Sequence, residues 1–526
     1  MNIVEILKLQ AIETPVANAI IDTHRGRERF TSFAGLEESS AKLAALLRSK
    51  GIKAGDAVLV FYPMSAELYA TLLAIFRLGA VAMFLDPSAG REHIERCCAL
   101  HLPQAFIASP KAHLLRLVSP ALRRIKHKFV IGGYVPGALS LKKTETLKSE
   151  SQIAKASDET PALITFTSGS TGQPKAALRT HGFLLAQHYA LQQSLSLMPG
   201  EVNLATLPVF VLANLASGVT SIIPNADLRF PGAIESEPLV AQIQKYKSHS
   251  TAASPALLER IADYCQQHKI TLDCFQKIFT GGAPVFPRLL DKLHSVAPQA
   301  DVTAVYGSTE AEPIAEIAQC EIASSDRAAM HSGKGLLAGM PVPQIQLRII
   351  RDQWGTRIHP LLQTEFDDVS LPEFEAGEIV VSGDHVLPGY LHGSGDEETK
   401  FRVGNQVWHR TGDAGYLDAQ GRLWLLGRCS AKVISAEKTI YPFAVECAAT
   451  RHTEIKRSAL IQHQSKRMLI VEPFDRGAAM NWQELKRELS WAAIDEIRCV
   501  DRIPVDKRHN AKVDYPALHK LLGDAL

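Results

Sequence analysis

The chain has 526 residues, and 57 Lys+Arg against 55 Asp+Glu leave a formal charge of +2. Hydrophobic residues at 46% and charged residues at 21% are globular proportions, which excludes wholesale disorder and a fibrous design. So even a charge balance argues against a general nucleic-acid binder, which needs excess cations to displace counterions.

The opening stretch, Met1 to Pro15, carries Glu5 within its apolar part and has no basic leader, so it does not read as a secretion signal. The most apolar region, Ala57 to Leu85, is interrupted by Glu67, Arg77 and Gly79 and lacks the run of about 18 apolar residues that a membrane span needs. It reads instead as strand, helix, strand. AVLVFYP ends at Pro63, Ser65 caps AELYATLLAIFRLGA, and AVAMFLDP ends at Pro87. Strands that are apolar throughout imply a parallel sheet covered on both faces. The pattern returns at PQAFIAS, HKFVIGG, SGVTSIIP and KIFTGGAP, so the chain to about residue 420 reads as layered α/β.

Leu114 to Lys128 is basic and amphipathic, and reads as a solvated helix face broken at Pro120 rather than as a phospholipid or acidic-partner contact. Eight cysteines show no CxxC pair and no His at metal spacing, as expected of reduced core thiols in a cytoplasmic protein. After Gly427-Arg428 the segments shorten (SALIQHQ, RMLIVEP, then helix-like NWQELKRELSWAAI) and end in a polar loop. The expected organisation is a large domain, 1–427, and a small α+β domain, 428–526.

The most specific string is TFTSGSTGQPK, where an apolar strand leads into Thr167, Ser168, Gly169, Ser170, Thr171 and Gly172, followed by Lys175. Two glycines let consecutive N–H groups converge into an anion-binding nest. The hydroxyls add donors, and Lys175 adds a point cation for a phosphate tail. The spacing does not match GxxxxGK[ST], which excludes the nucleotide-triphosphatase P-loop.

This string resembles the phosphate motif of the adenylate-forming superfamily of acyl-CoA synthetases, peptide-synthetase adenylation domains and luciferases, with Ala176 where that family usually has Gly. Further strings resemble its motifs in the same order. Gly281, Gly282 and Ala283, within TGGAP, resemble the loop flanking adenine. In YGSTE (Tyr306, Gly307, Ser308, Thr309, Glu310) the resemblance assigns Tyr306 to adenine stacking, Thr309 to the α-phosphate and Glu310 to Mg²⁺. RTGD resembles the motif whose Asp, here Asp413, holds the ribose hydroxyls. Arg428 matches the hinge Arg near ribose, and Lys512, in PVDKRHNAK, matches the lysine that bridges carboxylate and α-phosphate. Physical chemistry suits these roles: an aromatic face stacks on a purine, a hard carboxylate oxygen suits Mg²⁺, and a cation stabilises charge developing at phosphorus. The implied substrates are ATP and a carboxylic acid.

The parts that serve thiol transfer depart from the family. The hinge residue is Ser430, the usual glycine pair is Ala436-Glu437, and the Glu of PxEIE is Ala444; Ala511 replaces a Gly beside Lys512. These features, with the stretch Leu207 to Pro231, look closest to the β-lactone synthetases of the long-chain olefin pathway. The acyl-pocket His of the wider family is here Val211, which suits an apolar substrate. That resemblance implies a 2-alkyl-3-hydroxy fatty acid whose hydroxyl attacks its own activated carbonyl, and leaves room for a complex with other enzymes of the pathway. His181, His409 and His509 are candidates for the base only by lying near motifs, and a structural role is the simpler expectation for each. The alternatives are an acyl- or aryl-CoA ligase or carrier-loading ligase, which needs its thiol passage to survive Ala436-Glu437, and a catalytically silent nucleotide-binding protein.

Overall fold

A computed structural model describes the chain apart from residues 87–89, 142–148, 151, 169–173, 435–438, 476–479, 507–511 and 524–526 and the side chains of 167 and 168. The architecture is mixed α/β. Two compact units divide it: Met1–Asn225 with Tyr246–Thr251 and Asp384–Glu397, and Ala226–Lys245 with Ala252–Gly383 and Glu398–Leu526.

The first unit contains a sheet in the order Leu139–Ser140, His127–Val130, Ala105–Ala108, Ala57–Phe61, Val81–Phe84, Pro161–Ser168, Pro174–Thr180. All neighbours run parallel except the final hairpin. Alternation within one strand shows both faces covered, as the unbroken apolar runs imply. Val58 and Val60 enter a core with the helices Phe33–Ser49 and Ala66–Arg77, while Leu59 and Phe61 enter one with Arg91–Leu100 and Pro120–Arg124. Ser65 caps Ala66–Arg77 by accepting from Leu68 N–H at 3.3 Å. The two charges that interrupt the apolar region are both paired, Glu67 with Arg29 and the buried Arg77 with Glu37.

The second unit holds an ordered run of strands, Gln346–Ile350, Gly377–Ser382, Gln406–Leu417, Leu423–Arg428, Leu336–Pro341, Ala311–Ala318, Asp301–Ser308 and Lys277–Gly281. Only the last pair is parallel. Farther along, Ile455–His463 and Lys466–Pro473 pair antiparallel, and Glu496–Cys499 adds in parallel. Leu460 and Leu469 face one core and Ala459, Ile461 and Met468 another, so the expected small α+β element is present. Asp352 ties this C-terminal segment to the strands before it, accepting from Lys432 Nζ at 2.8 Å and Tyr441 Oη at 2.6 Å.

Local expectations differ in three places. NWQELKRELSWAAI is α-helical only over Trp482–Glu488 and tightens to a short 3₁₀ turn at Ser490–Ala492. Leu114 to Lys128 breaks at Pro120 as expected, but the proline also opens a further helix, Pro120–Arg124, at its first turn, where its missing N–H costs nothing. Cys320 and Cys499 are exposed rather than in the core. Among the described residues no helix is long and apolar enough to cross a membrane.

Candidate active site

In the first unit the antiparallel hairpin Pro161–Ser168/Pro174–Thr180 places Thr167 opposite Lys175 and Ser168 opposite Pro174. The phosphate string begins on the first of these strands and ends on the second. Gly169, Ser170, Thr171 and Gly172 lie outside the described residues, as do the side chains of Thr167 and Ser168. The stalk is anchored by Ile164 and Ala176 in the core, and Arg179 Nη1 donates to Thr165 Oγ1 at 2.6 Å across the pair.

Lys175 is only 7% exposed. A buried ammonium needs anionic, dipolar or π partners, and Nζ lies 5.7 Å from the centroid of the Tyr390 ring. Tyr390 bridges the backbone of Ala177, and its own N–H donates to Asp396 Oδ1 at 2.8 Å. The return of this segment brings Gly395 against the lysine stem, so close that an added Cβ would stand 2.5 Å from Cε and 2.9 Å from Nζ. With φ at +97°, Gly395 is a position for glycine on both counts. Nothing in the motif string pointed to Tyr390 or Gly395, which come more than two hundred residues later.

In the second unit the parallel pair Lys277–Gly281/Asp301–Ser308 requires glycine at 281, where a Cβ would lie 2.4 Å from the Val305 carbonyl oxygen. Gly282 follows with φ at +79°, and Ala283 continues the loop. Tyr306 and Gly307 close the neighbouring strand, and the Ser308–Ala311 pair leaves Thr309 and Glu310 as the two residues of the hairpin tip. Ser308 Oγ accepts the N–H groups of Glu310 and Ala311, both at 3.2 Å, which fixes that tip.

Tyr306 and Asp413, 107 residues apart, meet: Tyr306 Oη donates to Asp413 Oδ2 at 2.8 Å. Arg428, opposite Asp413 in the strand register, lies with Nε 3.2 Å from Oδ1. One carboxylate oxygen therefore accepts a hydrogen bond and the other faces a cation, and lone pairs remain for two further hydroxyls. Burial and the Asp413 charge hold the Tyr306 phenol well above its ordinary value, and Asp413 is the main reason the Arg428 guanidinium stands above its own. The tyrosine stays a neutral donor and the arginine a permanent cation.

Arg410, first residue of RTGD, does different work. It is buried against Glu378 with paired bonds of 2.8 and 2.7 Å, and donates to the Thr356 and Gln353 carbonyls at 2.7 and 3.1 Å. Its charge is spent inside the protein, anchoring the strand that presents Asp413. The Arg410–Glu378 partnership spans 32 residues and had no signal in the sequence.

Lys512 is hydrogen-bonded to Asp506 twice. Asp506 N–H donates to the Lys512 carbonyl at 2.8 Å, and Lys512 N–H donates to Asp506 Oδ1 at 2.9 Å. Val505 and Val513 bridge beside it.

The histidines divide plainly. His181 is buried, accepts Ile3 N–H at 3.3 Å, and is pushed down to about 4 by burial and the chain's amino terminus. His409 is buried with Nδ1 3.1 Å from the Thr399 carbonyl and is pushed down to about 3, by burial and then by Lys400. Such weakly basic, neutral imidazoles are core groups. His509, Ala511, Ala436 and Glu437 lie outside the described residues. Val211 is packed in the core with Leu215 and Tyr69.

The donor set fits Mg²⁺. Glu310 offers a half-buried hard oxygen at a hairpin tip, and among the described residues no cluster of three His, Cys, Asp or Glu gathers. Mg²⁺ takes one or two carboxylates and fills its octahedron with phosphate and water.

Comparison with known proteins gives a consistent result. Residues 7–391 match the family described as AMP-binding enzyme. The chain is 31% identical to the olefin beta-lactone synthetase of Xanthomonas campestris pv. campestris, covering 92% of this chain and 89% of that protein. It is 30% identical to the olefin beta-lactone synthetase of Stenotrophomonas maltophilia, covering 91% and 88%. Among solved structures, ATP-bound MatB from Rhodopseudomonas palustris superposes with a TM-score of 0.81 over 99% of both chains at 20% identity, a likeness of fold.

Proposed function

The chain belongs to the AMP-binding enzyme family, and on that premise we propose that it activates a carboxylic acid as its acyl-adenylate and closes a β-lactone from a 2-alkyl-3-hydroxy fatty acid. The observation that carries adenylation is the Asp413 carboxylate held between Tyr306 and Arg428, with lone pairs left for two ribose hydroxyls. Tyr306 presents its ring to adenine beside the Gly281–Gly282–Ala283 loop. Thr309 donates to the α-phosphate, and the string around Gly169 to Gly172, with Lys175, takes the outer phosphates. A carboxylate oxygen attacks the α-phosphorus, the bond to the bridging oxygen breaks, and pyrophosphate leaves. Lys512 offsets the negative charge shared by the carboxylate and the phosphoryl group in that transition state. Glu310 would hold Mg²⁺, which would supply charge neutralisation at the phosphates.

Ring closure follows without a second substrate. The 3-hydroxyl oxygen bonds to the acyl carbon, the acyl–phosphate C–O bond breaks, AMP leaves with the electron pair, and the hydroxyl proton passes to solvent or to AMP. An internal nucleophile supplies a high effective molarity, so the protein's task is to hold the hydroxyl over the carbonyl. Likeness to the two olefin beta-lactone synthetases supports this second half, as does Ala436-Glu437 in place of the glycine pair that lines a thiol passage. The protein is then a cytoplasmic enzyme of fatty-acid metabolism in which the segment from Arg428 onward acts as the small domain.

The test is AMP release and product mass with a 2-alkyl-3-hydroxy acid, ATP and Mg²⁺, with and without CoA. Lactone formed equally in both is expected. Strict dependence on CoA, with a thioester product, contradicts the ring-closing half and leaves adenylation standing.

A further inference from the structure

Charge is distributed unevenly in this nearly neutral chain. From Arg96 to Thr144 there are nine Lys or Arg and no Asp or Glu. Six of these cations, Lys111, Arg116, Arg123, Arg124, Lys126 and Lys128, lie on or beside the short helices Pro110–His113, Leu115–Val118 and Pro120–Arg124 of the first unit. Among the described residues none of the six forms an ion pair, whereas Arg29, Arg77, Arg410 and Arg422 elsewhere are all paired with carboxylates. Burial, and then the neighbouring Arg116, hold the Lys128 ammonium below its ordinary value. The one carboxylate seen among the described residues to reach these helices, Glu95, accepts from Ala121 N–H and Ser119 Oγ rather than from a cation of the six.

The same helices present apolar side chains to solvent. Leu114 is 61% exposed, Leu117 74% and Val118 51%. The loop after His127–Val130 belongs to this surface, since Arg116 Nη1 donates to the Pro136 carbonyl at 3.3 Å and Gly133 packs on Pro110. It carries Tyr134, 82% exposed, at the edge of an open hollow of about 410 Å³ that Lys50, Lys126 and Lys128 also line. The face is solvated, as expected, but its exposed side chains include leucines beside the cations. Clustered apolar exposure marks an interaction surface.

We propose that this face docks the protein on an anionic phospholipid surface, with Leu114, Leu117 and Val118 entering the acyl boundary, the unpaired cations meeting headgroup phosphates, and Tyr134 at headgroup depth. Charge complementarity selects the occupant. A basic patch with apolar side chains at its centre and an aromatic at its rim is the arrangement of an interfacial segment, and a lysine-lined hollow suits a phosphate headgroup. The inference is independent of the reaction proposed above.

Co-sedimentation of the full chain with vesicles tests it. Phosphatidylcholine vesicles containing phosphatidylglycerol should bind the protein, pure phosphatidylcholine vesicles should not, and high salt should release it. Each basic residue near such a surface contributes about fivefold to partitioning, so Arg123→Glu/Arg124→Glu should weaken binding at least about tenfold. Leu114→Ser/Leu117→Ser should also weaken it, with the salt dependence retained. All four positions are exposed, so thermal unfolding should be unchanged, and Arg487→Glu on the second unit should bind as the parent does. Equal binding to both vesicle types, no vesicle binding, or full binding by Arg123→Glu/Arg124→Glu would overturn the proposal. So would salt-sensitive capture by polyglutamate without vesicle binding, which would assign the face to an acidic protein.

Discussion

Tyr306 gives up its hydroxyl to Asp413, and this one bond says much about how side chains are prepared for a nucleotide. An aspartate with a hydrogen bond on one oxygen and a guanidinium beside the other is held in place, so the geometry it offers to the proposed ribose is set in advance. Lys175 is prepared differently, by walls: the Tyr390 ring on one side and the Gly395 backbone on another. Gly395→Ala should therefore act through the lysine, since its Cβ competes for the space of Cε. Carboxylate-dependent pyrophosphate exchange is expected to fall by up to about 10²-fold, the scale of a displacement near 1 Å at a reacting group. In a Lys175→Ala background the same substitution should add little. Equal losses in both backgrounds would mean that Gly395 matters only to the loop. Motif strings made Tyr306, Asp413 and Lys175 legible because each lies in a short, ordered pattern. Tyr390, Gly395 and Glu378 were invisible, because their partners are contributed by chain returning from far away.

Secondary elements were readable to the extent that local pattern decided them. The strand Ala57–Phe61 and the helix Ala66–Arg77 follow directly from apolar periodicity and a serine cap. In the stretch after Leu114 the break at Pro120 was readable too, whereas the new helix that the proline opens was not. Within the C-terminal segment, the helix Pro442–Ala449 carries a conflict of its own. Glu446 is 4% exposed, and burial pushes its carboxyl up to about 8; Leu460 N–H and Tyr515 Oη donate to it at 3.3 and 3.5 Å. Its folded value stands above the ordinary one, so its contribution to stability is complete below about pH 4.5 and is lost as pH rises through about 8. Denaturant unfolding of the C-terminal segment should show stability falling across that window by roughly a few kcal/mol. Glu446→Gln should flatten the slope and match or exceed the parent at the alkaline end. An unchanged slope would mean that the carboxyl is solvated or paired when ionised.

For the molecule as a whole, sequence and structure agree on architecture because the same apolar alternation that suggested a doubly covered sheet builds two cores around it. Less accessible from sequence was how charge is used. The balance of +2 conceals interior arginines paired with carboxylates and a basic face outside whose six cations form no ion pair among the described residues. The proposed chemistry also draws on distant parts of the chain, with Lys175 assigned to the outer phosphates and Lys512 to the carboxylate and α-phosphate. Lys512→Ala should lower acyl-adenylate formation about 10²-fold or more, the cost of one lost transition-state charge contact, with nucleotide affinity little changed. Parallel losses in both would make the lysine a binding residue instead. The claim on which all of this rests, that a carboxylate attacks the α-phosphorus, leaves a permanent mark on the products. A 3-hydroxy acid labelled with oxygen-18 in both carboxyl positions should yield AMP carrying one heavy oxygen and a lactone whose carbonyl keeps the other. Unlabelled AMP, or label recovered in inorganic phosphate alongside ADP, would contradict it.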